Sequence, residues 1–214
     1  MEGAGAYNAW LFERVRPHLG RRVLDAGAGV GTFTGLAADG REVVAVEPDP
    51  ELLPLLRARF EGRSDVEVVE GTIEDVSGSF DAIVCLNVLE HIADDLGTLR
   101  RFHDLLEPGG RLLLLVPAHP FLYGSIDRTV EHERRYTKSD LRGKLEEAGF
   151  DIAELRLVNP LGAAGWLVSS RVLKREQVPE GPLKLYDKLV PALRVLDKVD
   201  LGVGLSVWAV ARRR

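Results

Sequence analysis

The stretch Val23-Leu24-Asp25-Ala26-Gly27-Ala28-Gly29-Val30-Gly31-Thr32 decides how this chain is read. A short apolar run enters a glycine-rich turn and leaves it as a helix. Glycines at 27, 29 and 31 let the backbone come close to a bound molecule where side chains would stand in the way. About 20 residues on, Glu47 closes a second apolar run, a place from which a carboxylate can accept hydrogen bonds from both hydroxyls of a ribose.

Two classes of ligand share that arrangement, and the spacing separates them. The dinucleotide fingerprint G-x-G-x-x-G, counted from Gly27, asks for glycine where this chain has Thr32. Asp25, just ahead of the turn, would also aim a carboxylate at the pyrophosphate of a dinucleotide. A cationic ligand suits that carboxylate better. S-adenosylmethionine carries a sulfonium, an ammonium and an adenosine, and no phosphate.

Outward from the turn, strand-like runs at 22–26, 42–46, 66–70, 81–86 and 111–116 alternate with amphipathic helical patterns, as in a parallel sheet covered by helices. A leading helix is read over 7–15, with Trp10, Leu11 and Val15 on one side. Asp49 as N-cap and Pro50 at the first helical position open a helix carrying Leu52, Leu55, Leu56 and Phe60. Asp94 or Asp95 opens the next, with Leu96, Leu99, Phe102, Leu105 and Leu106 as its apolar face and Pro108-Gly109-Gly110 as its stop. Thr137 with Asp140 makes a capping box for a third helix that ends at Gly149. Beyond Phe150 the pattern reads as a strand at 152–158, helices at 160–174 and 183–199 with a break at Pro191, and a last strand at 205–210. The Arg-rich stretch 127–138 reads as a polar loop facing whatever the sheet binds.

Composition narrows the function classes. A chain of 214 residues, 45% hydrophobic and 29% charged, is neither collagen-like nor largely disordered. Its formal net charge of -5 provides no long-range attraction to nucleic acid or anionic lipid. Cys85 is the single cysteine, so no internal disulfide forms, and a reducing cytoplasmic setting fits. Residues 1–7 lack the basic-then-apolar pattern of a signal peptide. The most apolar stretch, 155–173, is interrupted by Arg156, Asn159, Pro160 and Arg171, so no integral membrane span is expected.

In chain order, Val23 to Thr32, Val46-Glu47-Pro48, Gly71-Thr72-Ile73-Glu74, and the runs 80–92 and 106–117 resemble the motifs of class I S-adenosylmethionine-dependent methyltransferases. The run Asp81-Ala82-Ile83-Val84-Cys85-Leu86-Asn87-Val88-Leu89-Glu90-His91-Ile92 resembles their small-molecule branch, which includes the ubiquinone-type O-methyltransferases. The resemblance covers about the first two-thirds of the chain. It implies a Rossmann-like, doubly wound α/β fold with a seven-stranded, mostly parallel sheet whose last strand is antiparallel. It also implies that Asp25, Gly27, Ala28, Gly29 and Gly31 hold the methionine moiety and Glu47 the ribose. Thr32 is a further contact or simply a first-turn helix residue. Pro48 and Ile73 would flank the adenine, and Asn87 and Val88 would line the sulfonium through backbone carbonyls. Where many relatives have Gly-Asp-Ala, this chain has Gly71-Thr72-Ile73, which leaves Thr72 or Glu74 to reach the adenine amino group.

For the chemistry, His132 is the first candidate base, because an imidazole exchanges protons near neutral pH. Tyr136 could position the acceptor, and Arg128, Arg134 or Arg135 could pair with an anionic group on it. The bland alternative is an exposed, salt-bridged loop. His119, just past the fifth strand, is a substrate-facing group or a loop histidine satisfied by backbone, and His91 is a base or a substrate contact. Glu90-His91 with Asn87 ahead of them resembles the Glu-x-x-Glu-His arrangement that supports a divalent metal in some ubiquinone-type and RNA-end methyltransferases. Asn87 removes a charged oxygen ligand from that pattern, so no metal is expected.

The combined expectation is one methyltransferase domain over 1–214, with a leading helix or lid at 1–20, a cofactor-binding core at 21–150, and C-terminal strands with a helical insertion at 151–214. It would transfer a methyl group from S-adenosyl-L-methionine to a small-molecule acceptor, foremost an oxygen, in a biosynthetic pathway, leaving S-adenosyl-L-homocysteine. An NAD-dependent dehydrogenase and a catalytically silent S-adenosylmethionine-binding partner protein are the alternatives. Nucleic acid is not an expected partner, whereas a homodimer stays open, with Trp166 as core, dimer face or apolar substrate wall.

Overall fold

Strands buried on both faces need apolar residues at successive positions, and the short runs found in this sequence have them. In a computed structural model, which describes residues 5–166, 190, 194 and 202–214, these runs become β1 (Arg22–Ala26), β2 (Glu42–Glu47), β3 (Val66–Glu70), β4 (Phe80–Leu86) and β5 (Leu106–Pro117). β6 (Phe150–Val158) and β7 (Ser206–Arg213) complete one sheet in the order β3-β2-β1-β4-β5-β7-β6. β1 to β5 are mutually parallel, and β7 runs antiparallel to both its neighbours. The expected seven-stranded, doubly wound α/β fold is the one formed.

Successive residues of the central strands enter opposite layers. Leu24, Ile83, Leu112 and Leu114 pack with Leu99, Phe102 and Leu105 of α4 (Asp95–Leu105) and with Leu141 and Leu145 of α6 (Lys138–Glu147). Val23, Val84, Leu113 and Leu115 pack with Trp10, Leu11 and Val15 of α1 (Gly5–Val15) and Ala37 of α2 (Thr32–Ala37). Cys85 lies in the first of these layers with no exposed surface, and burial pushes its thiol well above its ordinary range.

The capping signals hold at two helices. Asp94 caps α4 by accepting from Gly97 N at 2.9 Å, and Thr137 and Asp140 form the capping box of α6. At α3 (Leu53–Arg59) the start lies three residues later than the sequence implies. Asp49 accepts from Glu51 N at 2.8 Å in a local turn, and the buried positions are Leu53 and Leu56, while Leu55 is 57% exposed. Pro108-Gly109-Gly110 likewise lies within β5, where the pairing with β4 jumps from Phe80↔Leu106 to Ala82↔Arg111. The glycines form a bulge instead of a loop. The last two segments, α5 (Ser125–Thr129) and α7 (Pro160–Trp166), flank the carboxyl ends of the strands. The expected helix at 183–199 and the continuation of α7 past Trp166 lie outside the described residues, apart from 190 and 194. No helix among the described residues is long and apolar enough to cross a membrane.

Candidate active site

In this sheet the strand order reverses between β1 and β4, and the crevice outside their carboxyl ends is where open α/β sheets bind ligands. The glycine turn forms its first wall. Gly27 N and Ala28 N both donate to Val46 O at 3.0 Å, which ties the turn to the end of β2. The glycines then divide their work. A Cβ at Gly27 would stand 2.5 Å from Val88, and one at Gly31 would stand 2.4 Å from Phe60, so both are pressed against protein. A Cβ at Gly29 would meet nothing within 4 Å, so this glycine lies against open space.

Two carboxylates flank that opening. Glu47, 5% exposed, accepts from Gly29 N at 2.6 Å on Oε2 and from Asp49 N at 3.0 Å on Oε1. Two backbone donors therefore fix its orientation, and each oxygen keeps a lone pair. Asp25 is also 5% exposed and accepts from the Thr34 hydroxyl at 2.6 Å. Burial raises its pKa to about 6, with the Thr34 bond opposing that rise.

Across the crevice, Asn87 follows β4 in the left-handed region at φ 55° and donates its N–H to Leu115 O at 2.8 Å. Val88 O accepts from His91 N at 2.9 Å, opening the short 3-10 turn Leu89–His91. Glu90 has no exposed surface, and neither carboxyl oxygen has a hydrogen-bond partner among the described residues. Burial pushes its pKa up to about 8, and the charge of Asp127 adds to the rise. His132 Nε2 lies 3.8 Å from Glu90 Oε1. The rings of His91 and His132 meet edge to face at 4.8 Å. Partial burial, and then the neighbouring His132, lower the pKa of His91. Donor atoms of Glu90, His91 and His132 fall within 4.8 Å of one another. Three donors are one fewer than a closed tetrahedral metal site uses.

A family model for the methyltransferase domain matches residues 7–155. The chain belongs to the methyltransferase domain family. Over 101 residues it is 39% identical to a ubiquinone biosynthesis O-methyltransferase of Xanthomonas campestris, a match that takes in 44% of this chain and 42% of that relative. The matched stretch thus spans less than half the length of the curated relative. Among solved structures, an S-adenosylmethionine dependent methyltransferase from Mesorhizobium loti superposes with a TM-score of 0.69 at 15% identity, covering 98% of this chain and 100% of that one. Phosphoethanolamine N-methyltransferase 2 of Haemonchus contortus, solved with S-adenosyl-L-methionine, superposes at 0.67 and 21% identity over 98% of this chain and 52% of its own. At these identities the superpositions speak for the Rossmann-like fold.

In this methyltransferase domain, several residues singled out from sequence converge and others do not. Asp25, Gly29 and Glu47 lie at or just past the carboxyl ends of β1 and β2, Asn87 and Val88 directly follow β4, and the rings of His91 and His132 are in contact. Thr32 opens α2, and Pro48 is exposed directly after β2. Ile73 is 8% exposed and belongs to the main core. The Thr72 hydroxyl is engaged locally by Asp75 and Glu74 N, while Glu74 faces Arg101 at 3.8 Å. His119 takes a left-handed φ of 62°, and its ring rests 5.1 Å from that of Phe121. Partial burial, and then the charge of Arg135, lower its pKa.

The stretch 127–138 is irregular from 130 to 137, as expected of a loop, but several of its side chains are buried. Tyr136 is 1% exposed, and its hydroxyl donates to Asp95 Oδ2 at 2.9 Å, a carboxylate also held by Lys144 and Arg134. Tyr136 is thus a core residue with its hydroxyl engaged by Asp95. Arg135 is 5% exposed and bonded to Asp127 at 2.7 Å and to Ala118 O at 3.0 Å, so its charge is committed within the fold. Arg128 alone of the arginines expected to bind an anion is well exposed. Sequence reasoning did not single out Thr34 or Asp127. Both are polar residues whose partners lie three to nine residues away, across turns where no helical or strand period applies.

Proposed function

We propose that this chain transfers the methyl group of S-adenosyl-L-methionine to an oxygen of a small-molecule acceptor. The observation that carries the reading is the pairing of Glu47, locked by two backbone donors, with the open face of Gly29. Glu47 retains a lone pair on each oxygen for ribose hydroxyls, and Gly29 leaves room for a ligand to lie close to the backbone. The cofactor supplies a methyl group with a built-in leaving group. Asp25 provides a buried carboxylate on the side where an ammonium would sit, and the turn at Asn87 and Val88 provides the opposite wall. With the methyl donor already activated, the protein contributes alignment, exclusion of water and a base. His132 takes that last role at Nε2, which faces Glu90 and His91. The name of the Xanthomonas relative supports oxygen as the acceptor atom. Residues 1–214 would act as one catalytic domain, a reading supported by the single sheet that takes in β1 to β7.

Calorimetric titration with S-adenosyl-L-homocysteine, and separately with NAD, tests the reading. Micromolar binding of the first and none of the second is expected, with affinity falling by about 100-fold in Glu47→Ala, where several charge-assisted hydrogen bonds are lost at once. Affinity should also climb as pH rises through about 6, where Asp25 ionises and gains attraction for the ligand's ammonium. Tight binding of NAD without S-adenosyl-L-homocysteine would overturn the proposal.

A further inference from the structure

The ring of His132 is gripped from behind by a carboxylate that the reading above does not use. Asp127 has no exposed surface. Its Oδ1 lies 2.9 Å from His132 Nδ1 and accepts from Arg135 Nε at 2.7 Å, and its Oδ2 accepts from Gly124 N at 2.8 Å. The backbone closes the same unit, since His132 N donates to Asp127 O at 2.9 Å. Arg135 is held in turn by Ala118 O, and its guanidinium lies 4.7 Å from the centre of the Trp166 ring.

Burial alone would raise the carboxyl of Asp127, but the hydrogen bonds from His132 and Arg135 outweigh it and keep the group below the usual carboxylate range. An ionised carboxylate can only accept, so Nδ1 carries the hydrogen, and in the neutral imidazole Nε2 then carries the lone pair. Arg135 neutralises Asp127, so the carboxylate acts on His132 through direction more than through charge. We propose that Asp127 is a positioning residue that fixes His132 in the tautomer with Nε2 bare toward Glu90 and His91, with Arg135 and Trp166 holding Asp127 in register. The inference rests on His132 as the base, and it makes a statement about the free protein that holds whatever the acceptor is.

Long-range proton–nitrogen NMR of the histidine rings, recorded on the full chain with S-adenosyl-L-homocysteine and above the pH range in which imidazoles take up a proton, reads the tautomer directly. The wild type should show His132 protonated on Nδ1. Asp127→Ala leaves Nδ1 without its acceptor, so His132 should populate both tautomers and methyl transfer to catechol, the probe acceptor, should fall by about 100-fold, while binding of S-adenosyl-L-homocysteine changes by less than about threefold. A wild-type ring protonated on Nε2 overturns the proposal, as does an Asp127→Ala ring held wholly in the wild-type tautomer. If Asp127→Ala does not fold, the wild-type tautomer decides alone. His132→Gln separates the two layers of inference. Undiminished transfer in that variant removes the base and its positioning residue together. Loss of transfer in His132→Gln with full transfer in Asp127→Ala removes the positioning role only.

Discussion

The two walls of the crevice hold their carboxylates in opposite ways. On the glycine-turn wall, Glu47 has both oxygens bonded by backbone N–H groups, and Asp25 has the Thr34 hydroxyl. On the facing wall, Glu90 is as deeply buried, and among the described residues neither of its oxygens has a hydrogen-bond partner. The first wall is complete in itself and needs only a ligand of matching shape. The second is left with unmet hydrogen-bonding capacity beside two histidines, and a buried polar group in that state calls for a functional explanation. A pair of hydrogen-bonded carboxylates thus stands at the ends of β1 and β2, and an unbonded one just after β4.

The contrast can be broken or sharpened in three further ways. The largest effect is expected on the glycine-turn wall. Gly29 and Gly31 have φ of 58° and 80°, a region that costs a side chain about 1 kcal/mol, and only at Gly31 does a Cβ also collide with Phe60 and Leu56. Gly31→Ala should therefore lose roughly 2–4 kcal/mol of stability in urea unfolding, and Gly29→Ala about 1 kcal/mol, with the loss at Gly29 falling instead on binding of S-adenosyl-L-homocysteine. Equal losses of stability would mean that Gly29 also packs against protein.

A smaller effect is expected at Glu90. Its pKa rises from 4.5 to about 8 on folding, so between those values the folded chain holds a proton that the unfolded chain has released. Stability must then fall as pH rises through that window. Glu90→Gln cannot ionise, and its advantage over the wild type should grow by roughly 2–3 kcal/mol between about pH 5 and about pH 7. Parallel stability curves for the two proteins would show that Glu90 finds a partner in solution, and the contrast between the walls would vanish.

The smallest effect belongs to Tyr136. Tyr136→Phe removes one buried hydrogen bond to Asp95 and should cost about 1 kcal/mol, read by thermal unfolding, while methyl transfer stays within about twofold of wild type. A large fall in transfer with unchanged stability would return Tyr136 to the acceptor site.

Much of the fold was legible from residues near one another. The runs at 22–26 and 66–70 are the observed strands β1 and β3, and the Thr137–Asp140 capping box opens α6 where it was read. Caps act within a single helical turn, and strand preference is written in successive residues. The reading slipped where a local signal had two outcomes. Asp49-Pro50 makes a turn ahead of α3 as readily as a helix start, and Pro108-Gly109-Gly110 is absorbed as a bulge because β4 supplies a pairing partner on either side of it. In the candidate site, Asp25 and Glu47 were legible because the turn between them has a fixed spacing. The fate of the 127–138 stretch was not, since polarity alone cannot separate a solvated loop from a buried ion pair.

The sequence by itself determined the alternation of strands and helices, the glycine turn and the carboxylate at the end of β2, all of which follow from spacing and from conformations that few residues other than glycine tolerate. The tertiary structure decided which glycine lies against open space, that Tyr136 and Arg135 are committed to Asp95 and Asp127, and that Glu90, His91 and His132 meet. The meeting of Glu90 and His91 with His132, and the bond of Tyr136 to Asp95, depend on where the segment after β5 folds back against the end of β4. That placement is set by packing between residues far apart in the chain, which no local pattern encodes.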